Sequence, residues 1–290
     1  MQGTVDGFTY GAVTPVTAFL MACLGAALGL RCTTRSLRTR GVARAGWLAL
    51  GATSIGSGIW TMHFIAMLGF SVREAPVSYD RPLTYASLAV GVGMVGIGIF
   101  LVGYRGATRM ALVTGGTITG LGVASMHYLG MAGMNFGGVF EYDTLTVSLS
   151  VVIAVVAATA SLWAAVSVHG FLPSLCASVV MGVAVSGMHY TGMAALQVHI
   201  HPDAAPAPPG EDPTSLLLPM MIGPGCFLLL AAVVVMIDPL VVTGTPEGAG
   251  RPLGHHPRRG APMTSIPVRH PRTPAYQTAS RRAYRQSRNR

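Results

Sequence analysis

Gly-Ser-Gly-Ile-Trp-Thr-Met-His-Phe-Ile-Ala-Met occupies residues 56–67, Gly-Leu-Gly-Val-Ala-Ser-Met-His-Tyr-Leu-Gly-Met residues 120–131, and Gly-Val-Ala-Val-Ser-Gly-Met-His-Tyr-Thr-Gly-Met residues 182–193. The three stretches align without a gap and share G-x-[GA]-[IV]-x-x-M-H-[FY]-x-[AG]-M. His63 and His127 stand 64 residues apart, and His127 and His189 stand 62 apart. A fixed period of that length marks duplicated structural units. Each period holds two apolar runs, so the repeating unit is a helix pair.

The surrounding composition sets the solvent. Of 290 residues, 51% are hydrophobic and only 10% charged, and mean hydropathy is +0.54. A soluble domain carries about 25% charged residues. This chain lacks the charge to cover a water-facing surface, which excludes a soluble enzyme. Seven apolar stretches approach or exceed the roughly 20 residues that span a bilayer: Pro15–Leu30, Gly46–Phe70, Leu83–Gly103, Met110–Met134, Leu145–His169, Leu172–Val198 and Leu216–Ile237. The first is preceded by Asp6 and by no Arg, so it reads as a span and not as a secretory signal. The expected fold is an all-α integral membrane protein of seven transmembrane helices: three helix pairs plus a seventh.

All 19 basic residues are Arg. Arg31, Arg35, Arg38, Arg40 and Arg44 lie between spans one and two, Arg105 and Arg109 between three and four, and ten more follow span seven. The opposite loops hold Arg73, Glu74, Asp80 and Arg81, then Glu141 and Asp143, then Asp203, Glu211 and Asp212. Arg gathers on the cytoplasmic side, so the N-terminus is expected outside and the C-terminus inside, in a bacterial cytoplasmic membrane. Residues 1–240 form the membrane domain. Residues 241–290, rich in Arg and Pro, read as a disordered cytoplasmic tail. The tail suits an anionic lipid leaflet or an acidic partner; no basic patch on a folded module points to nucleic acid. Cys23, Cys32, Cys176 and Cys226 form no CxxC and read as small apolar residues.

The motif carries the chemistry. Positions four apart share a helix face, which pairs His63 with Met67, His127 with Met131 and His189 with Met193. Met62, Met126 and Met188 sit about 100° around the helix, either joining the site or facing lipid. Gly56, Gly120 and Gly182, and then Ala66, Gly130 and Gly192, let neighbouring helices approach closely. Each His lies seven to nine residues from the outer end of its span, roughly 10 Å deep. Three histidines at one depth on three equivalent helices can converge. Histidines within a membrane are costly and mark functional sites. Three imidazoles with thioethers and no carboxylate form a soft donor set that favours copper, Cu(I) especially, over zinc. Tyr128, Tyr190 and Thr191 are candidates to hold the imidazole tautomers, although Phe64 replaces Tyr in the first copy. His199 and His201, in the loop after span six, are either a point where metal enters or a solvated loop. A weaker echo pairs Tyr79-Asp80 before Leu83-Thr84 with Tyr142-Asp143 before Leu145-Thr146.

Over residues 10–240 the chain resembles the bacterial MHYT-domain sensors. That family's tetrapeptide stands complete as Met188-His189-Tyr190-Thr191, with Met126-His127-Tyr128-Leu129 and Met62-His63-Phe64-Ile65 as the other copies. The resemblance implies an inner-membrane sensory domain that binds copper through Met and His near the outer face and senses O2, CO or NO. Many members carry a cytoplasmic output domain. Here about 50 residues follow span seven, too few for one, so output is expected through a separate partner.

Four functions remain open from the residues: a copper-bearing sensor, a copper-handling or transport protein, a haem-bearing redox protein, and a structural membrane protein without ligand. Transport wants ligands at several depths, and none form a ladder here. Haem would use two histidines and leave the third copy without a role. No nucleophile triad, carboxylate pair or phosphate loop is present, so no catalysis is expected.

Overall fold

The computed structural model describes residues 4–7, 9–72, 77–136, 138–168, 170–200 and 213–237. Seven helices stand where the seven apolar stretches lie: α1 Val13–Ser36, α2 Gly41–Leu68, α3 Arg81–Arg105, α4 Arg109–Ala132, α5 Thr144–Ser167, α6 Phe171–Ala194 and α7 Pro213–Ile237. Helices α1, α3, α5, α6 and α7 are long and apolar enough to cross a membrane on their own composition. Helices α2 and α4 match them in length, but Gly, Ser, Thr and His dilute their hydropathy. The reason is position. Buried residues run through nearly every turn of α2 from Leu48 to Met67, and a helix enclosed by protein has no need of a lipid-facing apolar surface.

Short strands, which the apolar pattern did not predict, clasp each helix pair at one end. β1 (Val5–Asp6) pairs with β2 (Ser71–Val72), β3 (Ser78–Tyr79) with β4 (Met134–Asn135), and β5 (Gly138–Tyr142) with β6 (Leu196–Ile200), all antiparallel. Each unit therefore reads strand, helix, helix, strand. The same backbone bond closes each one: Thr9 N–H donates to the Gly69 carbonyl, Asp80 to Gly133 and Asp143 to Ala195, at 3.1, 2.7 and 2.9 Å. The acceptor is in each case the C-cap residue, just past the last residue of the even-numbered helix. Asp80 and Asp143 also cap the next helix, accepting from the N–H of Leu83 and Thr146 at 2.7 and 2.8 Å. A carboxylate there satisfies backbone donors left open by the first turn. The Tyr-Asp echo in the loops is thus a strand end followed by a helix cap.

The units close on themselves. Successive helices pack side by side from α1 to α6, α6 packs back on α1, and α7 lies against α1 and α2. The first glycine of each motif makes the junction to the next unit. A Cβ on Gly56 would strike Val92 of α3, one on Gly120 would strike Val155 of α5, and one on Gly182 would strike Cys23 of α1. At the end opposite the clasps, Arg31, Arg35 and Arg44 lie over the rings of Phe171, Trp47 and Tyr104 at 5.3, 5.8 and 4.9 Å. The proposed tail, the residues Arg73, Glu74, His169, His201, Asp203, Glu211 and Asp212, and the tail histidines lie outside the described residues.

Candidate metal centre

Helices α2, α4 and α6 each end five residues beyond their histidine. The three histidines therefore stand about 8 Å below the clasp end of the bundle, at one depth. They meet. The Nδ1 atoms of His63 and His189 lie 3.1 Å apart, those of His127 and His63 3.1 Å, and those of His189 and His127 3.3 Å. Each residue is 1% exposed, and the rings stand nearly perpendicular to one another.

Hydrogen bonding alone does not satisfy this triangle. A neutral imidazole nitrogen either carries a proton or offers a lone pair. Among three mutually adjacent Nδ1 atoms, at least one pair must oppose proton to proton or lone pair to lone pair. A cation held by the three Nδ1 lone pairs would remove the conflict. With metal–nitrogen bonds of about 2.0 Å, three corners of a tetrahedron lie about 3.3 Å apart, and the observed edges match that span. The protons would then fall on Nε2. The Nε2 atoms of His63 and His127 are buried without a hydrogen-bond partner among the described residues. They face the small motif residue of the next even-numbered helix: a Cβ on Gly130 of α4 would lie 2.7 Å from His63 Nε2, and one on Gly192 of α6 2.6 Å from His127 Nε2.

The aromatic residue after each histidine packs edge-on against it. Phe64, Tyr128 and Tyr190 stand 4.6, 4.8 and 5.0 Å from their histidine rings, at 81°, 77° and 74°. The ring recurs and the hydroxyl does not. Tyr128 points its hydroxyl to Ser150 Oγ at 2.6 Å, so it does not fix the tautomer of His127. Tyr79 packs on Phe64 and Tyr142 on Tyr128, at 6.1 and 5.9 Å. That gives the Tyr of the loop echo its role, and the matching position of the first unit is Phe8, outside the described residues. Burial raises the Tyr79 hydroxyl above its ordinary range. Burial and the neighbouring Tyr128 push the Tyr142 hydroxyl up to about 12. Both stay protonated at neutral pH.

Met62, Met126, Met188, Met67 and Met131 are buried, and Met193 is half-buried. The first three therefore do not face lipid. Met126 lies against Gly91 of α3. Met67 and Met193 line a cavity of about 350 Å³ beside His189, with Ala66, Phe70 and Tyr190. A second, apolar cavity of about 40 Å³ lies beneath the triad. Ile59, Val123 and Val185, one turn below each histidine, and Ile55, Thr119 and Met181, two turns below, all line it. Sequence reasoning missed these six because each alone is an ordinary core residue. Among the described residues no Cys, Asp or Glu joins the triad. His199 sits on β6 with Nδ1 3.7 Å from Glu141.

Comparison with known proteins agrees with the repeat. The family profile for MHYT, a bacterial signalling protein N-terminal repeat, matches residues 56–115 and 120–178. The bifunctional diguanylate cyclase/cyclic di-GMP phosphodiesterase MucR of Pseudomonas aeruginosa is 35% identical over 235 residues, covering 79% of this chain and 34% of that protein. The cyclic di-GMP phosphodiesterase NbdA of the same organism is 34% identical over 212 residues, or 69% and 27%. The signaling protein YkoW of Bacillus subtilis is 31% identical over 206 residues, or 68% and 25%. The chain spans about a third or less of the length of these curated relatives. No solved structure matches it. A multi-pass helical membrane protein built on three Met-His-aromatic motifs, two matched stretches and these relatives leads to one assignment: the chain belongs to the MHYT family of bacterial signalling proteins.

Proposed function

We propose that the chain is a membrane sensory module whose His63, His127 and His189 hold one copper ion near the outer end of the bundle, with O2, CO or NO as the stimulus and output through a signalling partner. The observation that carries this reading is the triangle of Nδ1 atoms with edges of 3.1–3.3 Å. The donor set is neutral and soft, and among the described residues no carboxylate adjoins it to favour harder ions. When bound, copper would supply a redox-active centre able to take a diatomic ligand. The apolar cavity directly beneath the triad suits a small uncharged molecule, because an apolar space of this kind stays dry. Haem fits less well. Its axial histidines stand on opposite faces of a macrocycle, whereas these three nitrogens converge on one point. The Arg residues stacked on aromatic rings at the far end support a cytoplasmic placement of that end and an N-terminus outside. The output enzymes named in MucR and NbdA suggest cyclic di-GMP turnover as the downstream chemistry.

The test is metal content and visible spectrum of the detergent-purified protein, against a variant with His63, His127 and His189 all replaced by alanine. One copper per chain, lost in the variant and without a Soret band, is expected. A Soret band would transfer the reading to haem. No metal in a folded wild type after copper reconstitution would end the ligand reading.

A further inference from the structure

Around the triad, the pseudo-threefold arrangement of the described residues is broken at His189. His63 and His127 have their Nε2 ring edges closed by Gly130 of α4 and Gly192 of α6. His189 instead lines the cavity of about 350 Å³, where Ala66 of α2 stands at the corresponding motif position. The cause is topological. Of the three junctions that join one unit to the next, α4 on α5, α2 on α3 and α6 on α1, the last is the least extensive, so the ring of units is thinnest where the third meets the first. Phe70 and Ala194, at the clasp ends of α2 and α6, also line this cavity, and Ala194 is exposed. Two of its lining side chains are thioethers, Met67 and Met193, each one turn beyond a histidine of the triad.

We propose that this cavity is the port through which copper reaches the triad, with Met67 and Met193 as relay ligands that receive Cu(I) and pass it to His189. The proposal rests on the copper reading above. A thioether binds Cu(I) without first losing a proton, and it holds the ion less firmly than three imidazoles do. A relay needs sites that bind well enough to admit an ion and weakly enough to release it. Met62, Met126, Met131 and Met188 do not line this cavity, so the relay is confined to two of the six motif methionines.

The experiment follows transfer of Cu(I), under anaerobic reducing conditions, from a coloured chelator complex to the detergent-purified full chain. Wild type is compared with Met67→Leu, Met193→Leu and the double variant. Loading about tenfold slower in the double variant, reaching the same final copper per chain, is expected. Equal loading rates would overturn the port. Loss of copper stoichiometry in the folded double variant would overturn the relay in favour of Met67 and Met193 as resident ligands. Failure of the wild type to take up copper would overturn the copper reading and the port with it. A second arm places Met193→Cys in a background with Cys23, Cys32, Cys176 and Cys226 changed to alanine, and adds a bulky water-soluble thiol reagent. Modification of the introduced thiol that blocks loading supports the port; a thiol that does not react overturns it.

Discussion

At the scale of single residues, the site depends on what touches the histidine rings. Gly192 abuts the Nε2 edge of His127, whose other face is held by Tyr128 and whose Nδ1 is held among two more imidazoles. An added methyl has no flexible neighbour to displace. Gly192→Ala is therefore expected to abolish copper binding while circular dichroism still shows full helix content. Gly187→Ala on the same helix meets nothing within 4 Å, and it should bind copper as the wild type does. Tyr128→Phe tests the complementary point. It keeps the edge-on ring and loses the hydrogen bond to Ser150. Copper content should persist, while thermal or denaturant unfolding shows a loss of about 1 kcal/mol. The importance of the ring over the hydroxyl was legible in the sequence only as Phe64 standing where two tyrosines stand elsewhere. Where the hydroxyl goes was not legible, because Ser150 lies on another helix and outside the motif.

At the scale of elements, the clasps and caps set the height of the triad. The backbone bond that closes each clasp is made at the C-cap of an even-numbered helix, six residues beyond its histidine. Asp143 caps α5, and hydrogen bonds from the Thr146 hydroxyl and then its backbone N–H hold the Asp143 carboxyl below its ordinary value of 3.8. A carboxyl lowered in the folded state contributes fully above that ordinary value and loses its contribution as pH falls through the lower one. Amide exchange at Thr146 should therefore accelerate as the pH drops below 3.8, over and above the intrinsic pH dependence, and Asp143→Asn should remove that extra step. The equivalent cap on α3 is half-buried, and Asp80→Ala is expected to cost about 1 kcal/mol by denaturant unfolding. The helices were legible because each fills a long apolar run. Four of the strands were not, because Val5–Asp6, Ser71–Val72, Ser78–Tyr79 and Met134–Asn135 are too short to show a period of two, and β6 was hidden because it begins inside the apolar stretch Leu172–Val198. Their trace was the Tyr-Asp echo, which records one strand end and one cap. The span length of α2 was legible, but its shortfall in hydropathy made sense only once the surrounding helices were in place.

At the scale of the whole molecule, no single helix pair can form the site. Its three nitrogens come from α2, α4 and α6, separated by 64 and 62 residues, and they meet only when α6 has closed on α1. Recurrence at equal depth made this convergence legible in the sequence. The thinner junction where α6 closes on α1 was not, because it follows from how the ring closes and not from any one copy of the motif. Ligation at this junction should therefore stabilise the bundle as a unit. An ion that binds the closed bundle and not the open chain adds about 2.7 kcal/mol at a free concentration one hundred times its dissociation constant. For a domain of this size that corresponds to a rise in Tm of roughly 5–10 °C. The rise should grow with the logarithm of free copper and vanish in the variant lacking all three histidines. His127→Ala alone should also abolish most of it, since two imidazoles no longer tie all three units. A shift that survived in the triple variant would place the stabilising ion elsewhere, and a wild type whose Tm ignores copper would separate the triad from the stability of the ring.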